Sequence, residues 1–410
     1  MRVAILIEEL RREGGSERQC LSLARELVTM GHDVTVYTCA HEVGRCFPDL
    51  CAELNIKTTG FSPLSKLPLH PRLRDVLNMR RMASRVEGRF DVLNPHGWAV
   101  HWAAVWLQRK RAGTTICWMC NDYIYTTRER PRARGLLGGL ISLMRSGVRN
   151  ALHSFDELLV KRIDRILVLS NMAAEEVRQG YDVEPIVVRS GVDLEKFSRV
   201  PTGSETVRER YDLGDAFLLL YVNLLFHFRR VEDVLEAVVI LRSAGRNVKL
   251  LIVGSLTFDA AYAESVMRLV EEKGLSDAVV FTDAVPEHEL RGFYDSCDVY
   301  VHPNEHQTWG LAVTEAMACG KPSVVSTGAG VHEVLRDGET AMLVPPRSPS
   351  LLADRIALLM DDPQLKERVG KQGRQYVRAN HSWRRYAEQN LTVFEAAIPQ
   401  EIGNAALERA

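Results

Sequence analysis

The sequence predicts an α/β protein built from two doubly wound, parallel-sheet domains. Three observations predict this. The chain has 410 residues, too many for one ordinary core and comfortable for two domains of about 200 residues each. Apolar runs of strand length alternate with segments of helical periodicity. That alternation fades over Val200 to Leu213, around Pro201-Thr-Gly-Ser204, and then begins afresh.

The apolar run Val3 to Ile7 opens the first half as a strand, being too short for the core of a signal peptide. Gly14-Gly15 follows as a turn, and a helix starts near Ser16 with the apolar stripe Cys20, Leu23, Ala24, Leu27 and Val28. Gly31-His32 ends it, and Asp33 to Thr38 is the next strand. Further strands are expected near Val92-Leu93, Thr114 to Trp118, Arg165 to Ser170 and Ile186 to Arg189. The second half repeats the rhythm with strands Phe217 to Asn223, Val248 to Gly254, Ala278 to Thr282 and Val299 to His302, and helices Val231 to Ala244 and Ala261 to Lys273. A last helix is capped by Ser382, with Trp383 and Tyr386 inward, and runs to about Ala397. The expected division is therefore 1–198, 199–380 and a C-terminal helix and tail, 381–410, returning to the first domain. Two such domains facing each other form a cleft at the carboxyl ends of both sheets, where ligands of this class bind.

Composition narrows the function classes. No apolar stretch reaches the roughly 18–20 residues of a membrane span, so a cytoplasmic protein with at most peripheral membrane contact is expected. The eight cysteines lack a disulfide spacing, and Cys117-x-x-Cys120 has no second ligand pair, so a redox or zinc role is not expected of it. Net charge is near zero but uneven, with about 17 Lys and Arg against about 5 Asp and Glu between residues 57 and 149. The arginines form two blocks, 72–89 and 128–149, the second enclosing apolar Gly135 to Met144. This pattern suits an anionic lipid surface or a phosphate-bearing acceptor, or a solvated basic face; no nucleic-acid partner is expected.

The densest chemical signal is PNEHQTWGLAVTEAMACGKP, from Pro303 to Pro322. A strand runs into a loop and then into a helix from about Gly310 to Gly320. The leading amides of Gly310 and Leu311, at the positive end of the helix dipole, suit a diphosphate. Glu315, between one and two turns in, is placed to accept hydrogen bonds from a pair of neighbouring hydroxyls such as a ribose presents; a plain surface glutamate is the alternative.

In this stretch the chain resembles the large family of retaining GT-B glycosyltransferases marked by two glutamates eight positions apart, typically Glu-x-Phe-Gly-Leu-x-x-x-Glu-Ala-Met-Ala-x-Gly. The resemblance covers nearly the whole chain and implies two Rossmann-like domains and a nucleoside diphosphate sugar donor, with no cofactor. By that resemblance Glu315 binds the nucleotide ribose, Gln307 stands where the first glutamate contacts the donor sugar, Gly310 and Leu311 hold the diphosphate, and Trp309 fills the aromatic position. Gln307 departs from the family pattern and lacks a carboxylate's charge; Glu305 raises a question of register that the spacing answers in favour of Gln307.

The family also carries an arginine and a lysine that neutralise the leaving diphosphate. In Asn223-Leu-Leu-Phe-His-Phe-Arg-Arg230 the lysine position falls on Arg230 and the arginine position on Leu224 or Leu225, leaving Arg229 or His227 to supply the second charge. Gly14-Gly15-Ser-Glu-Arg18 resembles the family's glycine-rich start beside donor and acceptor. His96, in Asn94-Pro-His96, matches a histidine at the cleft mouth, and Pro286 lies near the expected base pocket. No Asp-x-Asp occurs, so charge neutralisation without a metal is expected. The implied reaction is hexosyl transfer from a GDP- or UDP-linked sugar to a lipid-linked, phosphorylated or glycan acceptor, with retention. The alternative is a catalytically weak or silent relative that acts as a binding or partner subunit.

Overall fold

A computed structural model describes residues 1–67, 71–111, 113–121, 153–198 and 206–399. The chain divides into two units, Met1–Arg189 with the chain from Tyr386 onward, and Ser190–Arg385.

Among the described residues the first unit holds seven parallel strands: β1 Arg2–Leu10, β2 Asp33–His41, β3 Asn55–Thr58, β4 Val92–Pro95, β5 Thr115–Met119, β6 Arg165–Val168 and β7 Ile186–Val187, in the order β3-β2-β1-β4-β5-β6-β7. Val3 to Leu6 are fully buried, as a central strand covered on both faces requires. The second unit holds β8 Phe217–Val222, β9 Val248–Val253, β10 Val279–Phe281, β11 Val299–His302, β12 Ser323–Ser326 and β13 Met342–Val344, in the order β10-β9-β8-β11-β12-β13, again parallel throughout. In both sheets the order reverses beside the first strand of the unit, and this switch point is where doubly wound sheets open a crevice for ligands.

The strands read from sequence are present, and three more join them. β3 is a largely exposed edge strand of mixed polarity, and β12 and β13 are only four and three residues long, so none carries a long apolar run. The unit boundary also falls earlier than residue 198. The amide of Val192 donates to the carbonyl of His381 at 2.8 Å, Val192 pairs with Ser382, and Phe197 packs edge-on against Tyr294 at 5.8 Å. A Cβ on Gly191 would sit 2.7 Å from the Trp383 ring, so only glycine allows this crossing. Residues 190–198 are thereby tied into the second unit. The last helix, Trp383–Ala397, is shared: Ser382 Oγ accepts the Arg385 amide, and Trp383 belongs with Gly191. From Tyr386 on its residues belong to the first unit, where Gln389 accepts the Arg189 amide and the Ala397 carbonyl accepts the Thr115 hydroxyl.

Candidate functional site

β11 is buried at every residue and delivers the chain into the loop 303–310, after which Leu311–Ala318 is helical. Gly310 caps that helix at φ 132°, ψ 66°, a conformation open to glycine. A Cβ there would meet Val331 Cγ1 at 3.2 Å and His302 Nε2 at 3.4 Å. Among the described residues no acceptor meets the Gly310 or Leu311 amide. Two open donors and the helix dipole thus point the same way, toward an anion.

Gln307 is fixed by backbone and side chain together. Its amide donates to the Gly328 carbonyl at 3.0 Å and its carbonyl accepts from the Gly330 amide at 2.8 Å. Its side-chain amide lies 2.6 Å from His302 Nε2, and His302 Nδ1 lies 2.8 Å from the Tyr300 hydroxyl. Burial, with the Arg229 charge adding to it, lowers the His302 pKa to about 3, so this histidine orients Gln307 as a neutral ring. Glu305, the other carboxylate of this loop, turns to Arg347 at 2.7 Å, which holds its pKa below the usual range.

Glu315 is half-buried and accepts a hydrogen bond from the Tyr294 hydroxyl at 2.8 Å on Oε2. Tyr294 is fully buried between Phe197 and Tyr300, each at 5.8 Å. Burial and the Glu315 charge push its pKa well up, so the phenol keeps its proton and stays a donor.

The two neighbouring arginines turn different ways. Arg230 sits at φ 52°, ψ 43° ahead of the helix Val231–Ser243, and its guanidinium turns back onto Asp233 at 2.6 Å. Its charge is met within the fold. Arg229 instead reaches the buried Asn304. With the Asn304 amide oxygen turned toward Arg229, it accepts from Arg229 Nη1 at 3.1 Å and lies 3.0 Å from His302 Nε2. Of the two positions expected for the missing arginine, Leu225 is core and Leu224 is exposed. His227 is exposed as well.

Trp309, expected in the aromatic position of the donor site, is packed inside its unit. It is 2% exposed and its ring centroid lies 5.5 Å from that of His381. Pro286 is exposed and caps the helix Glu287–Ser296, away from Glu315 in sequence but on the helix that supplies Tyr294.

In the first unit Gly14 caps the helix Gly15–Thr29. A Cβ on Gly14 would fall 2.3 Å from Glu17 Oε2, so this glycine makes room for Glu17 folding back. Arg18, the last residue of that motif, is buried with its guanidinium 4.3 Å from the Phe47 ring. His96 follows β4 and is 1% exposed. Its Nε2 lies 2.8 Å from Asn94 Oδ1, while Nδ1 is buried without a hydrogen bond among the described residues. Burial lowers its pKa to about 3, so it is a neutral ring with one open acceptor. Cys117 and Cys120 are free and buried, and burial pushes Cys117 up to about 12, far from a reactive thiolate.

Sequence reasoning missed Tyr294, Asn304 and the glycine loop after β12. Gly328 is the most demanding of these, because a Cβ there would lie 2.2 Å from the Glu305 carbonyl oxygen and 2.5 Å from that of Asn304. The cluster Ser326-Thr-Gly-Ala-Gly330 was its visible signal.

Comparison with known proteins assigns each half. Residues 13–196 match the family described as Glycosyltransferase Family 4, and residues 204–376 match Glycosyl transferases group 1. A D-inositol 3-phosphate glycosyltransferase of Corynebacterium glutamicum is 27% identical over 95% of this chain and 93% of its own length. An uncharacterized glycosyltransferase of Methanocaldococcus jannaschii is 25% identical over 94% of this chain and 95% of its own. Among solved structures, a glycosyltransferase from Rickettsia africae superposes with a TM-score of 0.76 at 15% identity, covering 97% of this chain and 98% of that one. Anabaena HepE in complex with UDP-glucose superposes at 0.75 and 14% identity, covering 97% and 100%. These last two likenesses are of fold.

Proposed function

We infer the reaction from one premise: this chain belongs to the GT-B glycosyltransferases of the group 1 and family 4-like kind. Its activity is glycosyl transfer from a nucleotide sugar. The finer reading is that a hexosyl group passes from a GDP- or UDP-linked donor to a lipid-linked, phosphorylated or glycan acceptor, with retention at the anomeric carbon. The observation that carries it is the single helix Leu311–Ala318, which offers open amides at its start and a Tyr294-held carboxylate five residues after Gly310.

On this reading the diphosphate lies against the Gly310 and Leu311 amides, and Glu315 accepts from the ribose hydroxyls. Arg229, through its place beside Asn304, faces the charge that builds on the leaving oxygen. The bond from the anomeric carbon to the diphosphate oxygen breaks as the acceptor oxygen bonds to the same carbon. The acceptor proton passes to the departing diphosphate, and the chain's own donors neutralise the charge without a metal ion. Gln307 contributes hydrogen bonds to the sugar and no charge. His96 supplies an accepting Nδ1 to sugar or acceptor.

A phosphate-bearing acceptor accords with the basic region 57–149 and with the name of the corynebacterial relative. Among the described residues no helix is long and apolar enough to cross a membrane. Exposed Leu64, Leu67 and Leu73 lie beside Lys66, Arg72 and Arg74, a mixture suited to an anionic lipid surface. The block 128–149 lies outside the described residues. Anionic vesicles are expected to retain the protein at low salt and release it at high salt; indifference to lipid charge removes the membrane from this reading.

The deciding experiment is a panel of UDP- and GDP-sugars followed by nucleotide release, with the anomeric configuration of the product read by NMR. Release that Glu315→Ala abolishes supports the assignment; an inverted product refutes retention. Gln307 and the leucines at the arginine position favour one second reading, a relative that binds donor without turning it over, and nucleotide binding with no release from any donor would select it.

A further inference from the structure

We propose that a groove on the helix Pro363–Asn380 is a phosphoryl-binding site, separate from the open amides of Gly310 and Leu311. The groove has a volume of about 610 Å³ and is lined by Lys371, Arg374, Gln375, Arg378 and Ala379. Positions 371, 374, 375 and 378 recur at helical spacing, so three cations and an amide share one face.

Several other arginines of the same unit are neutralised by carboxylates. Arg208 is paired with Asp298, Arg242 with Asp277, Arg246 with Asp361 and Arg291 with Asp295. Among the described residues Lys371, Arg374 and Arg378 have no carboxylate within ion-pair reach. Arg374 goes further: its Nε is buried and makes no hydrogen bond among the described residues. An orphan N–H of a group that stays charged is costly unless an acceptor completes it.

The fold builds this position. A Cβ on Gly370 would meet the Gly320 carbonyl oxygen at 2.4 Å, and one on Gly373 the Thr340 carbonyl oxygen at 2.7 Å. Gly370 seats the helix against the turn that ends Leu311–Ala318, and Gly373 seats it against the backbone at Thr340. Gly320, at φ 78°, leaves room for the Arg374 stem, whose Cδ lies 3.4 Å from where a Cβ would stand. Arg385 Nη1 donates to the Ala379 carbonyl at 3.2 Å and adds a further cation at the groove's end. A guanidinium fork, a mobile ammonium and an amide around one concavity match a multiply charged phosphoryl oxyanion better than a single carboxylate.

The chemistry is shared by free phosphorylated solutes and lipid headgroups, and the test separates them. Inorganic pyrophosphate is titrated calorimetrically into the whole chain with saturating UDP present, for wild type and for Arg374→Gln/Arg378→Gln. Arg374→Lys serves as a folded control, and circular dichroism checks each variant. The double variant is expected to bind pyrophosphate at least tenfold more weakly with UDP affinity unchanged. Vesicles containing about a third phosphatidylglycerol form the second arm. Loss of vesicle retention together with loss of pyrophosphate identifies a lipid headgroup, and loss of pyrophosphate alone identifies a soluble phosphate. Unchanged pyrophosphate binding overturns the site, even if vesicle binding falls, because general surface charge then accounts for the lipid effect. Pyrophosphate binding is read whether or not any sugar nucleotide is turned over, so this result stands apart from the transferase assignment.

Discussion

Removing one hydroxyl tests whether Glu315 is a positioned ligand or an incidental helix glutamate. Tyr294→Phe keeps the ring, its burial and its contacts with Phe197 and Tyr300, and deletes the 2.8 Å bond to Glu315 Oε2. A hydrogen bond to a charged group contributes about 1.5–3 kcal/mol, and Glu315 is half-exposed, so water recovers part of that; about 1–2 kcal/mol remains. If that term holds the carboxylate for the ribose, nucleotide affinity falls about 5- to 30-fold. The assay is calorimetric titration of UDP and GDP, followed by donor KM and kcat. The rise belongs in Kd and KM, with kcat within about twofold, because on this reading Glu315 touches the ribose and none of the reacting atoms. A folded Tyr294→Phe protein with wild-type nucleotide affinity would falsify the role of Glu315, since the carboxylate would then have been free to wander without consequence.

Other changes probe separate parts of the same unit. Arg229→Ala is expected to lower kcat by at least tenfold, whereas Arg230→Ala frees Asp233 and acts mainly on melting temperature; the reverse pattern in a paired kinetic and thermal assay refutes this division of labour. Gly328→Ala forces a Cβ to 2.2 Å from a backbone oxygen, so it costs about 2–4 kcal/mol of stability in chemical denaturation and loosens Gln307; a neutral effect means that the loop moves at no cost. His96 and His302 carry folded pKa values lowered by burial to about 3 from 6.5, so the unfolded chain takes up their protons first. The stability they hold is complete above pH 6.5 and is lost as pH falls toward 3, reaching about 2 kcal/mol per histidine at pH 5. Calorimetric scans at pH 7.5 and 5 measure this, and an unchanged melting profile sinks it.

The parallel sheets were legible in sequence because central strands of this class are apolar without interruption, as Val3 to Ile7 and Val299 to Val301 are. The strand, loop and helix around Gly310 were legible for the same reason, together with its glycine and its open helix start. What stayed hidden was the direction of side chains. Arg230 and Arg229 are neighbours with one charge each, and no pattern of residues announces that φ 52° at Arg230 swings its guanidinium onto Asp233. Trp309 stands in the aromatic place of the motif, and nothing in the motif announces that its ring meets His381, more than seventy residues later. Tyr294 is 21 residues from Glu315, and its periodicity within Glu287–Ser296 says only that it points inward.

The close approaches at glycine explain why the motif around Gly310 carries so much of the signal. Gly254 allows the end of β9 to pass the Asn223 carbonyl, which a Cβ would meet at 2.0 Å, and Asn223 in turn lies 2.8 Å from Asn304. Gly328 does the same beneath Asn304 and Glu305, and Gly370 behind Gly320. Each contact is backbone against backbone, so none can be relieved by a rotamer change, and together they brace the loop before Leu311–Ala318 and the turn after it. A helix braced at both ends presents its leading amides without reorganising when charge develops, and that preorganisation is what gives fixed dipoles their catalytic value. Flexibility in donor recognition must then come from elsewhere in the second unit. The exposed turn that leads through Pro286 into Glu287–Ser296 meets that requirement, since it opens the helix that carries Tyr294 and has no comparable glycine contact among the described residues.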